Sequence, residues 1–215
     1  MATLQTMVTP RQNQALSVIH SYIQSSGFPP SLAELKQELG ISSNQSALDL
    51  LHALEEKSCI SRHEGAARAI RILSAGFSAL GVKPLVPVVG ETAAGPFLEA
   101  IEHAGTWHEV GEDVERLDQV IFVRVKGDSM VGADIEEGDL VLVRESLEFS
   151  SGKVVLAETP YGTTLKRFIL QNKSPYKYLK PENPNYDILI FTKNMRMRGI
   201  AFKIFKKDGR ALDVK

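Results

Sequence analysis

The strongest constraint in this sequence is a change of period. Between residues 10 and 58 apolar side chains recur every three or four positions. From Leu85 onward they fall instead into short runs separated by Gly, Pro and Asn. The first pattern buries one stripe of a helix and the second buries strands, so a single helical bundle or a single barrel cannot account for the chain. A two-domain α+β protein is expected, with a helical domain over 1–73, a linker over 74–84 and a mostly-β domain over 85–215.

Local signals divide the first part into three helices. Thr9-Pro10 offers a capping hydroxyl and a proline at the first helical position, followed by Ala15, Leu16, Ile19, Tyr22 and Ile23 at helical spacing. Gly27-Phe28-Pro29-Pro30 stops that helix. Ser31 and Glu34 form a capping-box pair ahead of Leu32, Leu35 and Leu39, and Gly40 supplies the next turn. Ser42 and Ser43 precede a third helix whose Ala47, Leu50, Leu51 and Leu54 face inward, with Ser46, Asp49, His52 and Ala53 nearer the exposed side. Two short helices joined through a glycine turn make a helix-turn-helix, whose second helix enters the DNA major groove.

Cys59–Arg62 and Ala69–Ile72 then read as two strands around His63-Glu64-Gly65-Ala66, which is the shape of a wing. Arg62, Arg68 and Arg71 stand on it, where a phosphate backbone could be touched. A plain three-helix bundle with a hairpin is the competing reading. Charge does not separate the two: the chain has 25 basic and 26 acidic side chains and a net charge of −1, so any DNA-binding face must come from sorting charge rather than from bulk.

Other classes are disfavoured. No apolar run reaches the ~18–20 residues needed to cross a bilayer, and Met1-Ala2-Thr3-Leu4-Gln5 has neither the basic segment nor the apolar stretch of a signal peptide, so a cytoplasmic protein without a membrane partner is expected. The single cysteine, Cys59, cannot form an internal disulfide, and no Cys/His cluster suggests a metal; no cofactor is expected. There is no Gly-rich phosphate loop, no His-Glu-x-x-His and no Gly-x-Ser-x-Gly. What remains is Ser129, in a turn after a strand, and Lys166, inside a later strand between Leu165 and Arg167. Each alone is unremarkable. Together they suit serine–lysine nucleophilic catalysis, in which a lysine desolvated among apolar neighbours accepts the serine proton.

Thr9-Pro10-Arg11-Gln12, Gly27-Phe28-Pro29-Pro30-Ser31 and Ala67-Arg68-Ala69-Ile70-Arg71 resemble the DNA-binding domain of LexA-type repressors. Val123–Met130, Gly138-Asp139-Leu140-Val141, Thr164–Phe168 and Leu179-Lys180-Pro181-Glu182-Asn183-Pro184 resemble the family's self-cleaving domain, which is related to signal peptidases, in the family's order and spacing. The resemblance implies a winged helix-turn-helix followed by a mostly-β peptidase, with Ser129 as nucleophile, Lys166 as general base and the backbone amides of Asp128 and Ser129 as oxyanion hole. Thr164 would hydrogen-bond near the lysine. The bond cut would be Ala94–Gly95 in the same chain.

The resemblance further implies a homodimer on palindromic double-stranded operator DNA, and self-cleavage stimulated by a RecA filament on single-stranded DNA. Such a repressor of DNA-damage (SOS) genes would work at the bacterial nucleoid. Its base-reading candidates are Ser42, Ser43, Asn44, Gln45, Ser46 and Asp49. Three places depart from the family pattern: Gln45, Leu48 and Asp49 on the reading helix, Gly132 and Asp134 where Asp and Gly are common, and Pro96 one position early. Two other readings stay open: a repressor whose peptidase half serves only dimerisation or another signal, and a peptidase acting in trans.

Overall fold

A computed structural model describes residues 8–62, 68, 70–89 and 105–215. They fall into two compact units, one of residues up to 87 together with 105–118, the other of 88–89 together with 119–215.

In the first unit the caps set the helix limits. Thr9 and Gln12 close a reciprocal capping box at the start of α1 (Pro10–Ser26), and Gly27 ends it in the left-handed conformation. Ser31 and Glu34 do the same for α2 (Leu32–Leu39), and the Ser43 hydroxyl caps α3 (Asn44–Glu56). Leu16, Ile19, Ile23, Leu35, Leu51 and Leu54 fill the space between the three helices. The wing is a minimal ladder of β1 (Ile60–Ser61) on β2 (Arg71–Ile72), antiparallel, with Ile60 opposite Ile72.

Two features differ from the sequence reading. Ser74–Leu80, expected as linker, is a helix, α4. Its Phe77 is buried edge-on to His20, and Asn13 of α1 donates to the Ala79 carbonyl at 3.1 Å. Seven residues with two large apolar side chains, Phe77 and Leu80, are too few for a period to register; tertiary packing makes this helix. The unit also includes the stretch after residue 104. There β4 (Thr106–Glu109) leads into buried Val110, Val114 and Leu117, and the Val110 amide donates to the Pro84 carbonyl at 2.9 Å.

The second unit is a sheet built largely of antiparallel strands. Its members are the end of β3 (Leu85–Val89), β5 (Val120–Arg124), β6 (Leu140–Glu145), β7 (Val154–Thr159), β8 (Gly162–Leu170), β9 (Lys177–Lys180), β10 (Leu189–Ile190), β11 (Arg196–Phe205) and β12 (Ala211–Asp213). They run in the order β10-β9-β8-β7-β11-β6-β5-β3, with β12 on β11, and Val88 and Val89 pair in parallel with Phe122 and Val123. Register shifts on β11 at Met197/Gly199 and Ala201/Lys203 let one long strand serve both β7 and β6. Ile121, Val123, Val141, Val143, Leu156 and Ile204 belong to the main core, and Val155, Ala157, Phe168 and Leu179 to a second one. Val154–Ala157 are all buried, which is why this stretch reads as an unbroken apolar run rather than an alternating one.

Candidate active site and nucleic-acid interface

The β7–β8 hairpin sets Lys166 opposite Val155, in a part of the sheet that leaves the lysine 8% exposed. Burial penalises its charged form and lowers its pKa from the ordinary 10.5 to about 8. At pH 7 that raises the neutral share from roughly three in ten thousand to roughly a tenth. Lys166 Nζ lies 2.7 Å from Ser129 Oγ, 2.8 Å from Thr164 Oγ1 and 3.0 Å from the Leu165 carbonyl oxygen. A neutral amine has two N–H groups and one lone pair. With the N–H groups donated to Thr164 and Leu165, the lone pair is left for the Ser129 hydroxyl proton, the arrangement a general base needs.

Ser129 sits half-buried beyond β5, in a turn held from both directions. The Val125 amide donates to Asp139 and the Gly138 amide returns to Val125. Gly127 takes the left-handed conformation at φ 73°, which lets the chain reverse before the serine. The 182–186 loop closes the other side: Glu182 N donates to the Ser129 carbonyl at 2.8 Å, and Gly132 N to the Glu182 carbonyl at 2.9 Å. Asn183 Nδ2 donates to both the carbonyl and the carboxylate of Asp128, each at 3.1 Å, and the Tyr186 hydroxyl donates to the same carboxylate. Glu182 is in turn bound by Arg167, the neighbour of Lys166. This clamp explains one departure from the family pattern. A Cβ at Gly132 would stand 2.2 Å from the Glu182 carbonyl oxygen, so glycine is required there, while Asp134 takes the left-handed position (φ 59°) that aspartate tolerates.

Beside Ser129 lies an open cleft lined by Val123, Val125, Met130, Leu156 and Leu165, with Thr163 and Thr164 at its polar side. Its apolar side chains can receive small aliphatic groups, Arg124 and Lys126 add charge to the lining, and strands β5 and β8 put extended chain on its walls. The proposed bond Ala94–Gly95, and Pro96 after it, lie outside the described residues.

No local sequence signal marks Asn183, Tyr186, Glu182 or Arg167 as a site residue. Pro181-Glu182-Asn183-Pro184 carries family likeness and no chemical signature of its own. Asn183 meets Asp128 across 55 positions of chain, a separation that no local pattern encodes.

On the first unit, α3 and its approach expose Ser42, Ser43, Asn44, Gln45, Ser46 and Asp49, while Ala47, Leu51 and Leu54 turn inward. Gln45 Nε2 donates to Asp49 at 2.8 Å, and Lys36 donates to Asn44 at 2.6 Å, so two amides are already oriented on the exposed face. The Ser43 hydroxyl is occupied as the cap.

The wing arginines all have partners within the unit, but only Arg71 is buried. Arg62 pairs with Glu55. Arg68 pairs with Glu34 at 2.9 Å, donates to the Pro29 carbonyl and lies over the Phe28 ring. Hydrogen bonds from Tyr22 and then Ser31 contribute most to holding the Glu34 carboxyl down at about 2. Arg71 corrects the expectation outright: it is 3% exposed and donates to the Leu117 carbonyl at 3.0 Å and to that of Asp118, so it does not face a phosphate backbone. Its position on a short strand gave its charge but not its direction.

A winged helix-turn-helix on one chain with a buried lysine against a serine defines a DNA-binding protein with a serine peptidase half. Residues 5–69 match the LexA DNA binding domain and residues 87–202 the Peptidase S24-like domain. The chain is 35% identical over 197 residues to the LexA repressor of Citrifermentans bemidjiense, covering 92% of this chain and 94% of that protein. It is 36% identical over 224 residues to the LexA repressor of Cupriavidus necator (97% and 100%), and 37% identical over 196 residues to that of Ralstonia pickettii (87% and 88%). The chain belongs to the LexA repressor family. Among the described residues no helix is long and apolar enough to cross a membrane.

Proposed function

We propose that this repressor of SOS genes inactivates itself by cutting Ala94–Gly95 with Ser129 and Lys166. The neutral Lys166 amine takes the Ser129 hydroxyl proton as Oγ attacks the Ala94 carbonyl carbon. Backbone amides of Asp128 and Ser129 receive the oxyanion. As the bond to Gly95 breaks, the Lys166 ammonium returns its proton to the departing nitrogen, and water then hydrolyses the serine ester with Lys166 again as base. The observation that carries this reading is the 2.7 Å approach of a buried, pKa-lowered lysine to the serine hydroxyl.

Small residues around the bond suit the cleft beside Ser129, and docking of the segment that bears them limits the rate. A RecA filament on single-stranded DNA raises the docked population, so DNA damage is the signal. The uncut protein binds palindromic operators as a homodimer at the bacterial nucleoid, with Gln45, Asn44 and Ser46 reading base edges and Arg62 and Arg68 near the backbone. Cutting severs the covalent link between each recognition helix and the dimerising half, and the gain of bivalent binding is lost when the DNA-binding fragment leaves.

Mass spectrometry after incubation at mildly alkaline pH tests the nucleophile, base and bond together. Two fragments meeting at Ala94–Gly95 are expected, and Ser129→Ala and Lys166→Ala should each yield none. Unchanged cutting in either variant would overturn the assignment.

A further inference from the structure

The scissile bond proposed above divides the sequence differently from the way the structure divides it, and this inference takes only the location of the cut from that reading. Residues 105–118 follow the bond, yet they belong to the unit of α1–α4, which precedes it. Trp107 Nε1 donates to the Gly27 carbonyl at 2.8 Å, at the left-handed turn that ends α1. The fit there is close: a Cβ on Gly27 would lie 2.2 Å from the Gly105 carbonyl oxygen. Val110, Val114 and Leu117 are each no more than 3% exposed, and Val110 N bonds to the Pro84 carbonyl. The buried Arg71 guanidinium binds the carbonyls of Leu117 and Asp118. On the other side, Val88 and Val89, which precede the bond, pair with Phe122 and Val123 in the peptidase sheet.

We propose that the DNA-binding unit carries a docking surface for segment 105–118 of its own chain, so that the two products stay associated after the bond is cut. Hydrolysis removes a covalent tether and none of these contacts. What it changes is the order of the reaction: an intramolecular contact becomes a bimolecular one, held by the surface's own affinity. That surface offers an indole hydrogen bond, a buried arginine and close backbone packing at Gly27, and the segment it holds has three buried apolar side chains. Release of the DNA-binding fragment is therefore a second step, distinct from catalysis.

Trp107 is the sole tryptophan, so its emission reports the docked segment directly. The test uses the full Ser129→Ala chain with a recognition sequence for a site-specific endoprotease replacing the residues around 94–95, and cuts it with that protease. Self-cleavage is not involved, so failure of the catalytic reading and failure of this one are told apart. The fragments are expected to co-migrate in native size exclusion with Trp107 emission unchanged. Gly27→Ala, which forces a methyl into the Gly105 backbone, should red-shift the emission and raise the share of free fragment several-fold. Gly40→Ala is the matched control: it is also left-handed, at φ +62°, but has nothing within 4 Å, and it should behave like the parent. Separation of the parent fragments, a red shift on cutting even in co-migrating fragments, or equal behaviour of the two glycine variants would overturn the proposal. Should Gly27→Ala not fold, the parent measurement decides alone.

Discussion

Among the described residues each unit buries one cation, and the two are treated in opposite ways. Arg71, 3% exposed, stays charged and is held among backbone carbonyls. Lys166, 8% exposed, is pushed toward its neutral form, with a pKa of about 8. The side chains explain the difference. A guanidinium does not release its proton in a protein and offers five donors in a fixed fork, which suits fastening; an ammonium loses its proton when desolvated, which suits catalysis. Burial alone therefore says little about role. Which cation is buried, and beside what, decides between a brace and a base.

The largest test of that contrast is Lys166→Arg. A guanidinium in place of the amine cannot accept the serine proton, and self-cleavage should fall about 10³-fold, read by the appearance of fragments in mass spectra. Cutting within tenfold of the parent would erase the distinction between the two cations. Arg71→Met should leave the Leu117 and Asp118 carbonyls without their donor and lower stability by about 3 kcal/mol in a urea melt followed by Trp107 emission. A loss below about 0.5 kcal/mol would mean that Arg71 is no brace.

Lys166→Met should act in the reverse direction. The folded-state pKa of Lys166 lies below its unfolded value, so the cost of burying the amine is absent above about pH 10.5, grows as pH falls toward 8 and is constant below that. The methionine variant carries no such cost. It should be more stable than the parent by about 2 kcal/mol at pH 7, discounted for residual exposure, with the gap shrinking by pH 10 in urea melts. Equal stability at both pH values would place the lysine in water.

The smallest effect concerns placement. Asn183→Ala frees the Asp128 carbonyl and loosens the serine turn, so cleavage should slow about tenfold while the bend in its pH profile stays near 8. A shifted bend would make Asn183 part of the proton-transfer system instead of a positioning residue.

Much of this molecule was legible before folding was considered. Thr9 with Gln12 and Ser31 with Glu34 announce two helix starts, and both capping boxes form. The change to short apolar runs after Leu85 announces the strands of the second unit, because short apolar runs between turn residues are local facts. The serine and lysine became visible as a pair through family likeness as much as through chemistry. Four things are not legible in the sequence: the helix at Ser74–Leu80, the inward direction of Arg71, the Glu182–Tyr186 clamp, and the place of 105–118 in the first unit.

Those misses have one physical origin. Caps, turns and periods are interactions among residues about four positions apart or closer, so the amino-acid order by itself determines where helices and strands begin and end. The direction of Arg71, the proton affinity of Lys166 and the rigidity of the Ser129 turn depend on groups that meet only after folding. Ser129 and Lys166 are 37 positions apart, Arg71 and Leu117 are 46 apart, and Asp128 and Tyr186 are 58 apart. Desolvation and long-range hydrogen bonds are properties of a place, and tertiary structure alone creates that place.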